Sequence, residues 1–327
     1  MQRAVPRPAP IQSAAKPGGK RVRLLTAFAA LATIVSVLTE PVNSATDPQN
    51  AAQGAYWNQQ AAASWIALQD RLDTLFEPLT RRAIAAASPR PGERVLDIGC
   101  GCGGTVLALA EHVGTGGHVL GVDISEPMSA RARQRIAAAG YTNLEIVVAD
   151  AGNYAFAAGE SDLLFSRFGV MFFPDPAAAL ANLLCAMRPG GRLQWVVWRP
   201  LTDNPWFRIP LEAALPVLPP PAPADPFGPG PFAFADPGRV IHLLQAAGWR
   251  NPKLIGNEAE LALGSDPAAA AELCTWVGPL ARRLIEAHAT PALHQAACRC
   301  VERALRAHAT ADGLALTASV WLVSAET

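Results

Sequence analysis

The chain has 327 residues, of which 50% are apolar and 17% are charged. Lysine plus arginine and aspartate plus glutamate each number 27, so the formal net charge is zero. This apolar content is sufficient for a large buried core, and the absence of basic runs interleaved with aromatics argues against a nucleic-acid-binding surface.

Residues 1–48 are predicted to form a low-complexity, apolar N-terminal extension. Lys20, Arg21 and Arg23 precede an apolar run over residues 24–38, which stops before Glu40. This run is short for a membrane-spanning helix and has the length of a signal-peptide core. Three interpretations stay open: a dispensable extension, a membrane anchor through residues 24–38, or a cleaved leader.

A long amphipathic stretch over residues 61–87 follows, with apolar residues such as Leu68, Leu72 and Leu75 at helical spacing. This pattern predicts a helix packed on a sheet. Tyr56 and Trp57 precede it. For these two aromatic residues, the sequence leaves open whether they pack in the core or line a ligand pocket.

A glycine-rich turn after residues 94–98 is the most informative feature of the chain. The segment reads as a buried strand, then Gly99, Gly101 and Gly104, then a helix. Glycines permit positive φ and close approach of a ligand, and the helix N-terminus directs free N–H groups into the same space. The G-x-G-x-x-G spacing is compatible with a dinucleotide. However, the acid Asp97 would face its pyrophosphate at a cost of about 1 kcal/mol or more, which favours a cofactor without phosphate.

Two further predicted strands also end in acids. Residues 118–123 end in Asp123, where a carboxylate suits ribose hydroxyls, and residues 144–150 end in Asp150. Asp150 and the backbone N–H of Ala151 are suited to the edge of an adenine ring. The acids at three consecutive strand ends indicate an adenosine-containing cofactor.

In this order and spacing, residues 97–103 (DIGCGCG), 121–125 (GVDIS) and 149–151 (ADA) resemble class I S-adenosyl-L-methionine (SAM)-dependent methyltransferases. Residues 166–173 and 188–193 resemble the fourth and fifth strand regions of that family. The resemblance covers residues 55–206, about half the chain, and is to the small-molecule branch, with a general similarity to quinone-biosynthesis methyltransferases. It implies an α/β, Rossmann-like fold: a seven-stranded mixed sheet with helices on both faces and one antiparallel strand. The cofactor implied is SAM, and the residues expected to bind it are Asp97, Gly99, Cys100, Gly101, Asp123, Ile124, Asp150, Ala151 and Ser166.

The expected reaction is direct displacement of the methyl group onto a small, apolar or aromatic molecule. An NAD(P)-dependent oxidoreductase and a non-catalytic SAM-binding protein are the alternatives. No catalytic base is identified from the sequence: His242 and His288 lie on predicted helices, and Arg167 is a candidate for orienting an anionic substrate or bonding the backbone. The reaction is expected in the cytoplasm, because export would separate the enzyme from cytosolic SAM.

The predicted organisation places the SAM-binding core at residues 49–200. Residues 201–235 form a proline-rich lid or connection, flanked by aromatics, and residues 236–327 complete the sheet with added helices. His294, Cys298 and Cys300 have no paired C-x-x-C spacing, so no metal site is expected. The oligomeric state is left open.

Overall fold

The structure is a computed structural model that describes residues 50–221, 223 and 225–327. The predicted extension over residues 1–48, including the apolar run 24–38, lies outside the described residues. Within the described ranges, no helix combines the length and apolar character needed to cross a membrane.

A single mixed sheet organises the described chain. Its strands are ordered β3-β2-β1-β4-β5-β8-β6, and the short β7 pairs with β8. The pairs among β1 to β5 are parallel, whereas β8 runs antiparallel to both β5 and β6. The strands are β1 (Arg94–Ile98), β2 (His118–Asp123), β3 (Leu144–Val148), β4 (Ser161–Arg167), β5 (Met187–Trp198), β6 (Arg250–Gly264), β7 (Ala309–Thr310) and β8 (Gly313–Glu326).

The predicted Rossmann-like α/β fold is confirmed, with one difference in strand count. The eighth strand is the two-residue β7, which forms a tight hairpin with β8 through Ala309 and Thr310. Two residues are too short to produce an alternating pattern, so the sequence gives no sign of this strand. The long strand β6 is continuous over fifteen residues.

Helices cover the sheet and bury its central strands. Leu163, Leu164 and Phe165 of β4 are fully buried, as expected for a parallel strand covered on both faces. The helices are α1 (Ala51–Ala55), α2 (Ala62–Ala67), α3 (Gln69–Ala87), α4 (Gly104–Val113), α5 (Glu126–Ala139), α6 (Pro176–Cys185), α7 (Pro205–Ala214), α8 (Pro237–Ala246), α9 (Pro267–Trp276), α10 (Pro279–Glu286) and α11 (Pro291–Arg306).

Two predicted segments differ in detail from the structure. The amphipathic stretch over residues 61–87 is interrupted at Leu68, between α2 and α3, and a π-helical turn over Tyr56–Gln60 precedes it. The proline-rich connection predicted over residues 201–235 begins with a helix, α7, which packs against α11. Irregular structure therefore starts only after this helix.

Candidate functional site

A cavity lies where the parallel strands β1, β2, β3 and β4 end. Its wall contains the glycine-rich turn after β1, the ends of β2 and β3, and the segment after β4. Residues from α1, the π-helical turn, α3 and the start of α10 complete it. Because parallel strands present their carboxyl ends at one edge, the motifs found along the sequence meet at this cavity.

The glycine-rich turn depends on backbone conformations that other residues adopt with difficulty. Gly99, Gly101 and Gly103 have φ values of +68°, +55° and +80°. A Cβ atom on Gly99 would lie 2.5 Å from the Cα of Gly169, in the segment after β4. The turn therefore lies directly against the β4 segment, and a side chain at either glycine would separate them.

Asp123 connects the glycine-rich turn to the loop that begins α5. Its carboxylate accepts hydrogen bonds from the backbone N–H groups of Gly101, at 2.7 Å, and Ser125, at 2.8 Å. Burial raises the pKa of Asp123, and these N–H donors oppose that shift. Asp123 and the adjacent Ile124 both line the cavity.

Asp150 lies after β3, where its side chain forms a hydrogen bond with Asn50, a residue distant in the sequence. The side-chain amide of Asn50 donates to Asp150 Oδ2 at 2.9 Å, and the N–H of Gly152 donates to Oδ1 at 2.9 Å. The Oδ1 atom of Asn50 is buried without a hydrogen-bond partner. Asn50, Asp150 and Ala151 line the same part of the cavity.

Asp97 lies behind the cavity wall and is fully buried. Its Oδ2 accepts a hydrogen bond from the hydroxyl of Thr105 at 2.5 Å, while its Oδ1 has no partner. Burial raises the pKa of Asp97 to about 7, although Thr105 and Arg167 act in the opposite direction. Thr105, rather than Asp97, presents its surface to the cavity.

Ser166 is also behind the wall. Its hydroxyl donates to the carbonyl of Ile98 at 2.7 Å and accepts from the N–H of Gly169 at 3.2 Å. It thus joins the end of β1 to the segment after β4. Of the nine residues expected to bind cofactor, Asp97 and Ser166 lie outside the lining, and seven are brought together at it: Gly99, Cys100, Gly101, Asp123, Ile124, Asp150 and Ala151.

The N-terminal segment closes one side of the cavity. Tyr56 and Trp57 both line it, which agrees with the second of the two interpretations left open above. Asn58 holds the segment in place by donating to the carbonyl of Ile124 at 3.1 Å and accepting from the N–H of Glu126 at 2.9 Å. No local sequence pattern indicates this role of Asn58, because both partners lie more than sixty residues away in the chain.

Aromatic side chains form the other end of the cavity. The rings of Phe168 and Trp198 are stacked, with centroids 4.1 Å apart and an interplanar angle of 7°. Phe76 and Phe207 contact Trp198 edge to face. All four line the cavity, together with Pro231 of the proline-rich segment.

The aromatics that flank the proline-rich segment have different positions. Phe207 faces the cavity, whereas Trp206 and Phe234 are buried in the core. Phe227 is half exposed and lies 4.6 Å below the guanidinium of Arg239. The flanking aromatics thus divide among the cavity wall, the buried core and the exposed surface.

Two cations contribute to the described lining, Arg167 and Arg282. Arg282 forms an ion pair with Glu286 at 2.9 Å, and its guanidinium lies 5.5 Å from the Tyr56 ring. His242 and His288 are not part of the lining. His294 lies away from it against Trp276, and no group of three or more metal-ligating side chains occurs among the residues that the structure describes.

Comparison with known proteins gives matches over both the core and most of the chain. Residues 95–191 match a family model described as a methyltransferase domain. The nocamycin O-methyltransferase of Saccharothrix syringae is 31% identical over 257 residues, which cover 76% of this chain and 90% of that protein. The aklanonic acid methyltransferase DauC of Streptomyces sp. strain C5 is 38% identical over 152 residues, covering 46% of this chain and 64% of that protein. A demethylmenaquinone methyltransferase of Clavibacter sepedonicus is 37% identical over 121 residues, covering 37% and 46%.

Proposed function

Because this chain belongs to the class I SAM-dependent methyltransferase family, we propose that it methylates an oxygen atom of a small, aromatic acceptor by direct displacement. The observation that carries the proposal is the continuity of the cavity. One end has the acids at the ends of the parallel strands, and the other has the stacked pair Phe168 and Trp198. The choice of oxygen is supported by the nocamycin O-methyltransferase, a relative that covers 76% of this chain.

The residues present fit SAM. Asp123 and Asp150 offer carboxylate oxygens at the positions suited to ribose hydroxyls and the adenine amine, and the Ala151 N–H lies beside Asp150. The unpartnered Oδ1 atom of Asn50, which lines the cavity, is a further acceptor for the hydroxyl or amine groups of such a ligand. Asp97, being behind the wall, would act through Thr105, through water or by its charge.

The task of this chain in the reaction is mainly one of positioning. When bound, SAM supplies a methyl group that is already activated by its sulfonium. The aromatic cluster of Phe76, Phe168, Trp198 and Phe207 holds a flat acceptor, and its apolar surface keeps water from the reacting atoms. Alignment of the acceptor oxygen with the methyl group is the principal contribution that the enzyme makes to the rate.

The acceptor oxygen is activated without a histidine, since the described lining contains none. Burial raises the pKa of Tyr56, so its hydroxyl stays neutral and is available as a hydrogen-bond donor inside the cavity. The oxygen of a carboxylic acid or of an acidic phenol is already ionised near neutral pH, so it can attack the methyl group without a base. We therefore assign no catalytic base, and we place the reaction in the cytoplasm, where SAM is made.

The cofactor part of the proposal is tested by calorimetry with SAM and with NAD. Wild-type protein is expected to bind SAM and not NAD. Asp123→Ala is expected to weaken SAM binding by about 2 kcal/mol, because a charged hydrogen-bond acceptor is removed. Asp312→Ala removes an exposed acid outside the lining and serves as the matched control.

The transfer step requires a second experiment, in which a cell extract is incubated with the protein and isotopically labelled SAM. A labelled product whose mass increases by one methyl group, and which is retained by an aromatic-selective column, is the expected result. Binding of SAM without any labelled product would favour a non-catalytic SAM-binding protein. Binding of NAD in place of SAM would contradict the assignment of the site.

A further inference from the structure

Arg167 is a cation in the cavity wall without a matching anion. It ends β4, is half-buried and lines the cavity. Among the residues that the structure describes, no carboxylate lies within 4.0 Å of its guanidinium, whereas the other lining cation, Arg282, is paired with Glu286. Since a buried charge is costly without a partner, this arrangement points to a ligand that supplies one.

The guanidinium is fixed in position by neutral groups. Its Nη1 donates to the hydroxyl of Thr80 at 2.6 Å, and its central carbon lies 5.6 Å from the centroid of the Phe76 ring. Nε and Nη2 have no hydrogen-bond partner among the described residues. Burial lowers the pKa of Arg167, an effect that an anionic ligand would reverse.

The nearby acids Asp73 and Asp97 raise the pKa of Arg167 and so oppose the effect of burial, but neither forms an ion pair with its guanidinium. Asp73 accepts from Arg135 at 2.6 Å, and Asp97 is bonded to Thr105. Their charges nevertheless make the surroundings unfavourable for a doubly charged group such as a phosphate. A singly charged, planar group with two oxygens fits better, because it matches the free edge of a guanidinium.

We propose that Arg167 binds a carboxylate inside the cavity, which makes it a specificity-determining residue. The inference rests on the proposed function and concerns the same site. Two ligands present a carboxylate there: an acidic acceptor and the methionine end of SAM. The contact between Arg167 and Phe76, which belongs to the aromatic cluster, favours an aromatic carboxylic acid as the acceptor.

Paired ligands that differ only in the carboxylate test this proposal in two arms. In the acceptor arm, calorimetry compares 1-naphthoate with the neutral 1-naphthamide in the presence of saturating S-adenosylhomocysteine. In the cofactor arm, it compares SAM with decarboxylated SAM. Each arm uses wild type, Arg167→Gln and Arg303→Gln, the last being an exposed residue of α11 outside the lining.

The expected result is that wild type binds 1-naphthoate about tenfold or more tightly than 1-naphthamide, as charge-assisted contacts provide. Arg167→Gln should abolish this preference, and Arg303→Gln should keep it. Loss of the preference for SAM over decarboxylated SAM would support the same site with the cofactor as its ligand. Arg167→Lys keeps the charge and tests whether charge alone gives the preference. Circular dichroism of every variant shows whether the protein is still folded.

An absence of carboxylate preference in both arms with wild type would overturn the proposal, as would preferences that persist unchanged in folded Arg167→Gln. If wild type binds SAM normally in either case, only the role of Arg167 is rejected. If wild type does not bind SAM at all, the proposed function itself is rejected.

Discussion

At the scale of a single residue, the buried carboxylate of Asp97 is expected to link stability to ligand binding. Burial raises its pKa from 3.8 to about 7, so the folded protein holds this proton more tightly than the unfolded chain does. The stability that this group contributes is therefore greatest at low pH and is lost as pH rises from about 4 to about 7. A shift of this size corresponds to about 4 kcal/mol. Above pH 7, the ligand-free protein therefore holds Asp97 in its ionised form, and the burial of this charge lowers the free energy of unfolding.

Asp97→Asn should remove this pH dependence. We expect the ligand-free variant to be more stable than wild type at pH 8, by up to about 4 kcal/mol, because an amide carries no charge to bury. At the same pH, its affinity for SAM should decrease by about tenfold or more, since a charged partner of the cofactor's ammonium group becomes neutral. Urea denaturation and calorimetry between pH 5 and pH 8 measure the two effects.

In wild type, SAM affinity should rise with pH up to about 7, as Asp97 ionises. The Asn variant should lack that rise, and Asp312→Asn should behave as wild type. Equal stability and equal SAM affinity in a folded Asp97→Asn protein would show that this carboxylate has neither role.

Some residues of the site could be predicted from the sequence, and others could not, for a physical reason. Asp123 and Asp150 follow strands whose apolar patterns are local, so their convergence at one sheet edge follows from parallel pairing. Asn50 reaches Asp150 across one hundred residues, and Gly169 contacts Gly99 across seventy. Neither contact leaves a periodic signal, because each depends on how loops lie over the finished sheet.

At the scale of elements, the π-helical turn over Tyr56–Gln60 is attached to the loop that carries Asp123. Asn58 bonds the backbone of Ile124 and Glu126, and the hydroxyl of Ser125 donates to the carbonyl of Trp57 at 2.9 Å. These polar contacts act together with the edge-to-face contacts of the Trp57 ring with Trp65 and Phe172 to hold the segment closed. A segment held in this way is expected to open without unfolding the sheet.

Replacing Asn58 by Ala should release this segment. We expect SAM affinity to fall by about five- to tenfold, in line with a loss of 1 to 1.5 kcal/mol for side-chain hydrogen bonds. Amide hydrogen exchange should become faster over residues 50–60 and remain slow in β1 and β4. Gln59→Ala, which changes an exposed side chain on the same turn, is the matched control. Unchanged exchange over residues 50–60 would mean that Asn58 does not hold the segment.

As with the residues, some secondary-structure elements could be predicted from the sequence and others could not. Patterned strands such as β1 and β2 occur at the predicted residues 94–98 and 118–123. Strand β5 begins at Met187, and its first part contains Pro189 and two glycines, which give no apolar strand pattern. A register shift between Ser161 and Leu163 of β4 accommodates these residues. Apolar patterning thus locates strands, but it does not locate the irregularities at their ends.

At the scale of the whole molecule, the residues that line the cavity come from segments that are widely separated in the described sequence. Its lining extends in sequence from Asn50 to Arg282, and it joins the cofactor half, built by β1 to β4, to residues at the start of α10. The last strand, β8, lies between β5 and β6 and thereby connects the C-terminal part to the core sheet. The division into a core over 49–200 and a completing part over 236–327 stays a prediction about organisation, since both parts contribute to one sheet.

This organisation predicts at which residue the part of the chain needed for SAM binding begins. The strands whose ends carry Asp97, Asp123 and Asp150 all lie at or after Arg94, so a chain that starts at Gln49 should bind SAM with the affinity of the full-length protein. A chain that starts at Ala61 lacks Asn50, Tyr56, Trp57 and Asn58, while it keeps the complete sheet. Its affinity should fall about a hundredfold or more, since several contacts of about 1 kcal/mol each are lost together. Calorimetry on the two truncated chains and on the full-length protein measures the difference, with circular dichroism as the control for folding. A loss of binding on removing residues 1–48 alone, in a chain that still folds, would place part of the site in the N-terminal extension.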